Sequence, residues 1–295
     1  MRCWPLPEVL TVRAPAKVNL ALDVLARRVD GYHDVDTVFQ ELELADQVSL
    51  EPAEAAEVRV TGPFAKGTPA DSQNLALQAL HLAAGAAGEA ADFLIRLEKN
   101  IPPAGGLGGG SSDAAAVLSV LSRRWPALQA KLPRLALALG SDVPFFLLGG
   151  TARGLGRGEV LEALPPLPPH DVVLFPFDDE AAIPKNKTAS VFAALEVLPP
   201  QAPCLPGVVE LLTSGHCSSR DLWGTNALEL AAVRVMPGLG EFRRRVEEAI
   251  GEPVILSGAG PTWFWIGPLG QGSAIAAAAR QANLTCIETR TALRS

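Results

Sequence analysis

Between Pro102 and Ala116 the chain reads Pro-Pro-Ala-Gly-Gly-Leu-Gly-Gly-Gly-Ser-Ser-Asp-Ala-Ala-Ala, a glycine-dense loop that runs straight into a strongly helical stretch. Glycines let successive main-chain N–H groups turn toward one point and admit a bulky anion. The first turn of a following helix adds unpaired donors and the positive end of its dipole. The run therefore reads as a phosphate cradle. It holds no lysine, whereas a Walker loop ends in Gly-Lys-Ser/Thr, and a dinucleotide fold places its glycines in the first strand-helix unit. A flexible linker is the competing reading. The apolar spacing of Ala114, Ala115, Val117, Leu118, Val120 and Leu121 favours a loop fixed by a helix.

The elements that must position this loop follow from periodicity. Val9 to Arg13, Lys17 to Leu25 and Val38 to Leu50 alternate as strands, with Asp30-Gly31 as a turn, and Val58 to Thr61 adds a further extended run. Asn74 to Ala84 reads as a helix, Phe93 to Glu98 as the strand entering the cradle and Ser112 to Arg124 as the helix leaving it. Leu128 to Leu139 is helical and stops at Gly140, which puts Ser141-Asp142-Val143-Pro144 on a loop before an expected strand, Phe145 to Leu148. The proline-rich stretch Leu164 to Pro169 reads as a connector. Beyond it come strands at Val172 to Phe175, Val254 to Leu256, Thr262 to Ile266 and Thr285 to Thr289. They alternate with helices at Ala189 to Leu195, Val208 to Leu212, Asn226 to Val233, Leu239 to Ile250 and Ser273 to Ala282. This order predicts an α+β protein in two domains, residues 1–163 and 164–295.

A chain of 295 residues can bury a substantial core, and a net charge of −7 with both signs dispersed argues against a nucleic-acid surface. Arg243, Arg244 and Arg245 stand among Glu241, Glu247 and Glu248, as on a solvated helix face. Cys3, Cys204, Cys217 and Cys286 lack metal-ligand spacing, so reduced thiols in a cytoplasmic protein are expected. No secretory leader and no membrane span is legible.

Three segments in order, Ala14-Pro-Ala-Lys-Val-Asn-Leu20, the cradle, and Ser257-Gly-Ala-Gly-Pro261, resemble the three motifs of the GHMP small-molecule kinases across nearly the whole chain. Asp30-Gly-Tyr-His33 and Gly140-Ser-Asp-Val-Pro144 are similar to the branch acting on a cytidine-diphosphate-linked sugar alcohol of the non-mevalonate isoprenoid route. The resemblance implies an ATP-binding lobe like domain 2 of ribosomal protein S5, a ferredoxin-like second lobe, and a substrate cleft between them. It also implies ATP with Mg2+, direct γ-phosphoryl transfer to the 2-hydroxyl of the methylerythritol unit, and a monomer or weak homodimer. A GHMP kinase for homoserine, mevalonate or a sugar, and a non-catalytic nucleotide sensor, are the alternatives.

Residue by residue, the resemblance makes Lys17 and Asp142 the catalytic pair, with Asn19 holding the substrate. A carboxylate is too weak a base to strip an alcohol in advance. It orients the O–H and accepts the proton late, while the amine keeps it ionised and steadies phosphoryl charge. A structural ion pair for Lys17 and a helix-end role for Asp142 are the bland readings. The ATP-binding set is Asn74, Leu75, Lys99, Pro102, Pro103, Ala104, Gly105, Gly106, Leu107, Gly108, Gly109, Gly110, Ser111 and Ser112. Asp113, repelled by phosphate, is expected to turn away to cap backbone or reach magnesium through water, with capping preferred. Tyr32 and His33 would read the cytosine, with Thr188 and Phe192 beside them and Gly258 and Gly260 in the substrate loop. Three departures stand out from the family pattern: Pro184-Lys-Asn-Lys187 ahead of Thr188, Asn226-Ala-Leu-Glu229, and Pro261 with Trp263 and Trp265 at the third motif, where a core or surface role for the tryptophans is expected.

Overall fold

The computed structural model describes residues 9–199, 202–215 and 217–293, so Cys3 lies outside the described residues. A long strand β1 (Leu10–Arg27) turns at Asp30-Gly31 into an equally long β2 (His33–Pro52), with which it pairs. Gly31 takes φ 85°, a left-handed value open to glycine at little cost. Then follow β3 (Glu57–Thr61), α1 (Leu75–Ala87), β4 (Phe93–Glu98) and α2 (Gly109–Arg124). After a 3-10 turn, Pro126–Lys131, come α3 (Leu132–Leu139), α4 (Val143–Leu148), β5 (Thr151–Gly156), β6 (Val160–Ala163) and β7 (His170–Phe175). Helices α5 (Lys187–Leu195), α6 (Leu205–Thr213), α7 (Glu229–Val235) and α8 (Leu239–Ile250) lead to β8 (Ile255–Leu256), β9 (Trp263–Pro268), α9 (Gly272–Gln281) and β10 (Ile287–Arg290).

These elements form two compact units, neither of them continuous in sequence. The first holds the described residues up to Ala16, Leu44–Pro103 and Gly108–Leu148; the second holds Lys17–Glu43, Ala104–Leu107 and the chain from Gly149 onward. A boundary drawn at residue 163 would thus part Lys17–Glu43, Ala104–Leu107 and Gly149–Ala163 from the rest of the second unit.

In the first unit β3 runs parallel to β4, and β4 pairs antiparallel with the C-terminal half of β2, Gln47 opposite Glu98 through Pro52 opposite Phe93. Helix α2 packs along α1 and against α4, burying Leu80, Ala83, Val117, Leu118, Leu121 and Phe145. Each large side chain so buried contributes about 1.5–3 kcal/mol, which anchors the helix whose first turn ends the cradle. In the second unit the N-terminal half of β2 pairs with β5 and β5 with β6, while β10, β7, β9 and β8 make a four-stranded antiparallel sheet. Its helices close over Val173, Phe175, Met236, Phe242, Trp263 and Trp265, so both tryptophans take the core rather than the surface role.

The expected strand Phe145 to Leu148 is instead the helix α4. A short apolar run does not distinguish a buried strand from a buried helix turn, and Pro144 just after Val143 is a helix-start signal. Strands β5 and β6, rich in glycine and charge, have no counterpart in the sequence reading. Burial keeps Cys204 and Cys217 as thiols, both pushed up to about 12, with the Asp23 carboxylate adding to the effect at Cys204. Arg243 pairs with Glu229 and Glu247, Arg244 with Glu241 and Arg245 with Asp178, so the basic triplet is ion-paired. Among the described residues no helix is long and apolar enough to cross a membrane.

Candidate active site

The cradle is organised by its carbonyls. Those of Ala104, Gly105, Gly106 and Leu107 each accept a hydrogen bond within the second unit: from Lys187 Nζ at 2.8 Å, Thr262 N at 3.2 Å, Ser257 Oγ at 2.9 Å and Lys17 N at 2.9 Å. A trans peptide points its N–H opposite its C=O. Fixing four consecutive carbonyls inward therefore turns the next four N–H groups outward, and none of those donates to a backbone acceptor among the described residues. Only glycine fits at 106: its φ is 80°, and a Cβ there would lie 2.2 Å from the Ser257 carbonyl oxygen.

In the first unit Gly108, at φ 73°, stands as the N-cap residue of α2, and Gly109, Gly110 and Ser111 open the helix with the unpaired N–H groups every helix start leaves. Leu75 lies against Gly110, 3.6 Å from where its Cβ would be. Asn74 caps α1, accepting from Ala76 N at 2.9 Å and donating to the Pro69 carbonyl at 2.7 Å, so its side chain builds the helix start. Pro102 and Pro103 carry the chain from β4 toward the loop.

Lys99 is almost fully buried, and its ammonium donates to Asp46 and, at 2.7 Å, to Asp113. Asp46 also accepts the N–H groups of Asn100 and Ile101. The partner of Asp113 is Lys99 rather than a backbone N–H, and that ammonium lies 3.2 Å from where a Cβ of Gly109 would stand, beside the start of α2. Two carboxylates share one ammonium out of water. Burial, reinforced by Asp46 and opposed by Lys99, raises the Asp113 carboxyl to about 7. Its pKa is higher folded than unfolded (about 3.9), so the folded state binds more protons between pH ~4 and ~7, and stability falls as pH rises through that window. Asp113→Asn is expected to flatten this slope, leaving a neutral Lys99–Asp46 pair; denaturant midpoints measured across that range test it, and an unchanged slope would exclude Asp113 as its source.

Asp142, half-buried in the first unit, immediately precedes α4 in the turn after Gly140. In the second unit Lys17 is buried on β1, its Nζ donating to Asn19 Oδ1 at 2.5 Å and lying 5.4 Å from the Phe39 ring centre. Asn19 Nδ2 donates to Thr37 Oγ1 at 2.8 Å, and Thr37 donates to the Ala21 carbonyl. This relay sets the Asn19 amide with its oxygen toward the lysine. Gly258 adjoins both, since a Cβ there would fall 3.1 Å from Asn19 Oδ1 and 3.5 Å from Lys17 Nζ. Asn226 holds that loop, donating to the carbonyls of Leu256 and Gly258. Gly260, at φ 71°, closes it.

Residues 74–150 match the family model of the GHMP kinases N terminal domain. A 4-diphosphocytidyl-2-C-methyl-D-erythritol kinase of Pelotomaculum thermopropionicum is 39% identical over 289 residues, covering 96% of this chain and 98% of that one. The chain belongs to the 4-diphosphocytidyl-2-C-methyl-D-erythritol kinases. The relative from Rhodococcus jostii is 41% identical over 87% of this chain and 83% of its own. The crystal structure of a 4-(cytidine 5'-diphospho)-2C-methyl-D-erythritol kinase superposes with a TM-score of 0.73 at 37% identity, over 96% of this chain and 100% of that one. Mevalonate kinase of Methanococcus jannaschii, at 11% identity and a TM-score of 0.68, shares the fold alone. The chain is accordingly an ATP-using small-molecule kinase of the two-lobed α+β GHMP fold, and the homoserine, mevalonate and sensor alternatives are not favoured.

The residues expected to read the base, Tyr32, His33, Thr188 and Phe192, all belong to the second unit. His33 stacks on Phe192 at 5.1 Å between ring centres and 21° between planes, and its Nε2 is 3.5 Å from Glu196. Tyr32 is exposed, with the Arg157 guanidinium 4.6 Å from its ring centre. Thr188 sits in the exposed first turn of α5. His33 and Phe192 touch, so a base does not fit between them without their separating. The sequence reading did not single out Thr37, Ser257, Thr262, Asn226 or Lys187 for these supporting roles; main-chain carbonyl satisfaction leaves almost no trace in residue type.

Proposed function

We propose that this kinase transfers the γ-phosphoryl of ATP directly to the 2-hydroxyl of 4-diphosphocytidyl-2-C-methyl-D-erythritol, giving the 2-phosphate and ADP. The observation that carries the reading is the four tied carbonyls of Ala104 to Leu107, which leave an outward row of N–H donors suited to an anionic phosphate chain. Asp142 orients the acceptor hydroxyl and takes its proton as the new phosphorus–oxygen bond forms, and the leaving oxygen departs with ADP. Lys17 steadies charge on the transferred group, and Asn19, braced by Thr37, fixes the lysine's direction. Lys99 serves the nucleotide through the position of α2, to which it is anchored at Asp113.

Magnesium brought in with ATP would supply neutralisation of the phosphate charge. No cluster of three or more His, Cys, Asp or Glu suited to a metal occurs among the described residues; Ser112 Oγ and Asp113 Oδ1, adjacent near the start of α2 and buried without a hydrogen-bond partner, are the oxygens that would hold it. Tyr32, His33, Thr188 and Phe192 select the cytidyl group. The enzyme works in the cytoplasm as a monomer or weak homodimer.

The deciding assay is ADP release from ATP with the cytidyl acceptor beside the same sugar phosphate lacking cytidine. Turnover is expected with the first alone, and equal rates with both would favour a different acceptor. Stacking on an aromatic ring is worth about 1–3 kcal/mol per base. Phe192→Ala should therefore raise KM for the cytidyl acceptor about tenfold with KM for ATP unchanged, and an unaltered acceptor KM would remove Phe192 from the base site.

A further inference from the structure

Of the four donors that hold the cradle's carbonyls, two are main-chain N–H groups and one is a hydroxyl. The fourth is a cation: Lys187 Nζ, which donates to the Ala104 carbonyl at 2.8 Å and also to the carbonyl of Gly260 in the third-motif loop. Lys187 is the first residue of α5, whose first turn contains no acidic side chain. A positive charge at the positive end of a helix is electrostatically misplaced, and two carbonyl acceptors offset that cost. Ala104 itself sits at φ 54°, a left-handed value that a residue with a Cβ adopts only when its surroundings enforce it.

We propose that Lys187 is a positioning residue for the nucleotide, clamping Ala104 to Gly260 so that the Gly105 N–H stays turned outward to meet phosphate. The clamp is a pair of charge-assisted hydrogen bonds, stronger than the neutral ones that hold Gly105 to Leu107. It acts where the loop most needs holding, at the one non-glycine residue of the cradle forced into a left-handed conformation. The same helix presents Thr188 and Phe192, so a single side chain connects the loop that grips phosphate with the helix assigned to the base. Chain order alone hides this link, since 83 residues separate Lys187 from Ala104.

The inference rests on the cradle being the nucleotide site, and nucleotide affinity, read without the acceptor, tests it. By calorimetry, Lys187→Met should bind ADP about tenfold more weakly than wild type. KM for ATP should rise by a similar factor, kcat should stay within about threefold, and Lys187→Arg, which retains the charge and donors, should recover most of the loss. ADP affinity of Lys187→Met within twofold of wild type would overturn the proposal, and so would an equal loss in Lys187→Arg, which would mean that side-chain packing alone matters. Should Lys187→Met fail to fold, Lys187→Gln, able to donate to one carbonyl, is read in the same way. A wild-type enzyme that ignored the cytidyl acceptor would refute the acceptor assignment while leaving these affinities fully interpretable.

Discussion

Asp142→Asn is expected to lower kcat by about a thousandfold, within the range lost when a positioned proton acceptor is removed, while ADP binds within about threefold of wild type. The substitution isolates the chemistry because asparagine matches aspartate in size and equals it as a helix-start residue. The turn from Gly140 into α4, directly after Asp142, should therefore survive, and the melting temperature should not move. What is lost is the ability to take the alcohol's proton as phosphorus–oxygen bond formation makes it acidic. Single-turnover measurement with saturating ATP and acceptor separates this from slow product release. Near-normal turnover would show that the proton leaves by another route and would strip Asp142 of its role.

The cradle and its flanks were legible because their signals are local. Glycine density, the apolar spacing of α2 and the alternation of Phe93 to Glu98 each depend on residues close in sequence, and the strand from Phe93 to Glu98 matches its expected bounds. The apolar run of α4 was misread because an apolar stretch of four to six residues carries no usable period. Strand β5 was invisible because Gly154 and Gly156 occupy positions where a strand pattern calls for β-branched or aromatic residues, and β6 is only four residues long. The reason lies across the sheet: a Cβ at Gly154 would come within 2.7 Å of the Phe39 ring.

The same limit applies to the site. Lys17, Asn19 and the glycines of the three motifs could be picked out by type and order. Lys99 could be picked out too, yet its two carboxylate partners come from β2 and α2, and nothing in Asp46 or Asp113 taken alone announces a shared ammonium. Lys187 attracted notice only as a departure from the family pattern. Its partners are carbonyl oxygens, which every residue has, so their use is written in the path of the chain and not in its composition.

That dependence on backbone makes Gly106→Ala the most damaging single-methyl change expected in the cradle. The added Cβ would stand 2.2 Å from the Ser257 carbonyl oxygen and 3.0 Å from that of Gly260, contacts that no rotamer relieves because all the atoms involved are main chain. The positive φ adds strain of about 1 kcal/mol or more. Relief requires the loop to leave the Ser257 hydroxyl and with it the inward setting of the Gly106 carbonyl, so the next N–H no longer faces outward. ADP affinity should fall at least a hundredfold, measured by calorimetry, with a loss of about 2–3 kcal/mol in unfolding free energy of the size seen for overpacking. Gly85→Ala is the matching control: it lies inside α1 with nothing within 4 Å of its Cβ position, so it should bind ADP normally and gain up to about 1 kcal/mol in stability. If both variants bound ADP like wild type, the amide row of this loop would not be what holds the nucleotide.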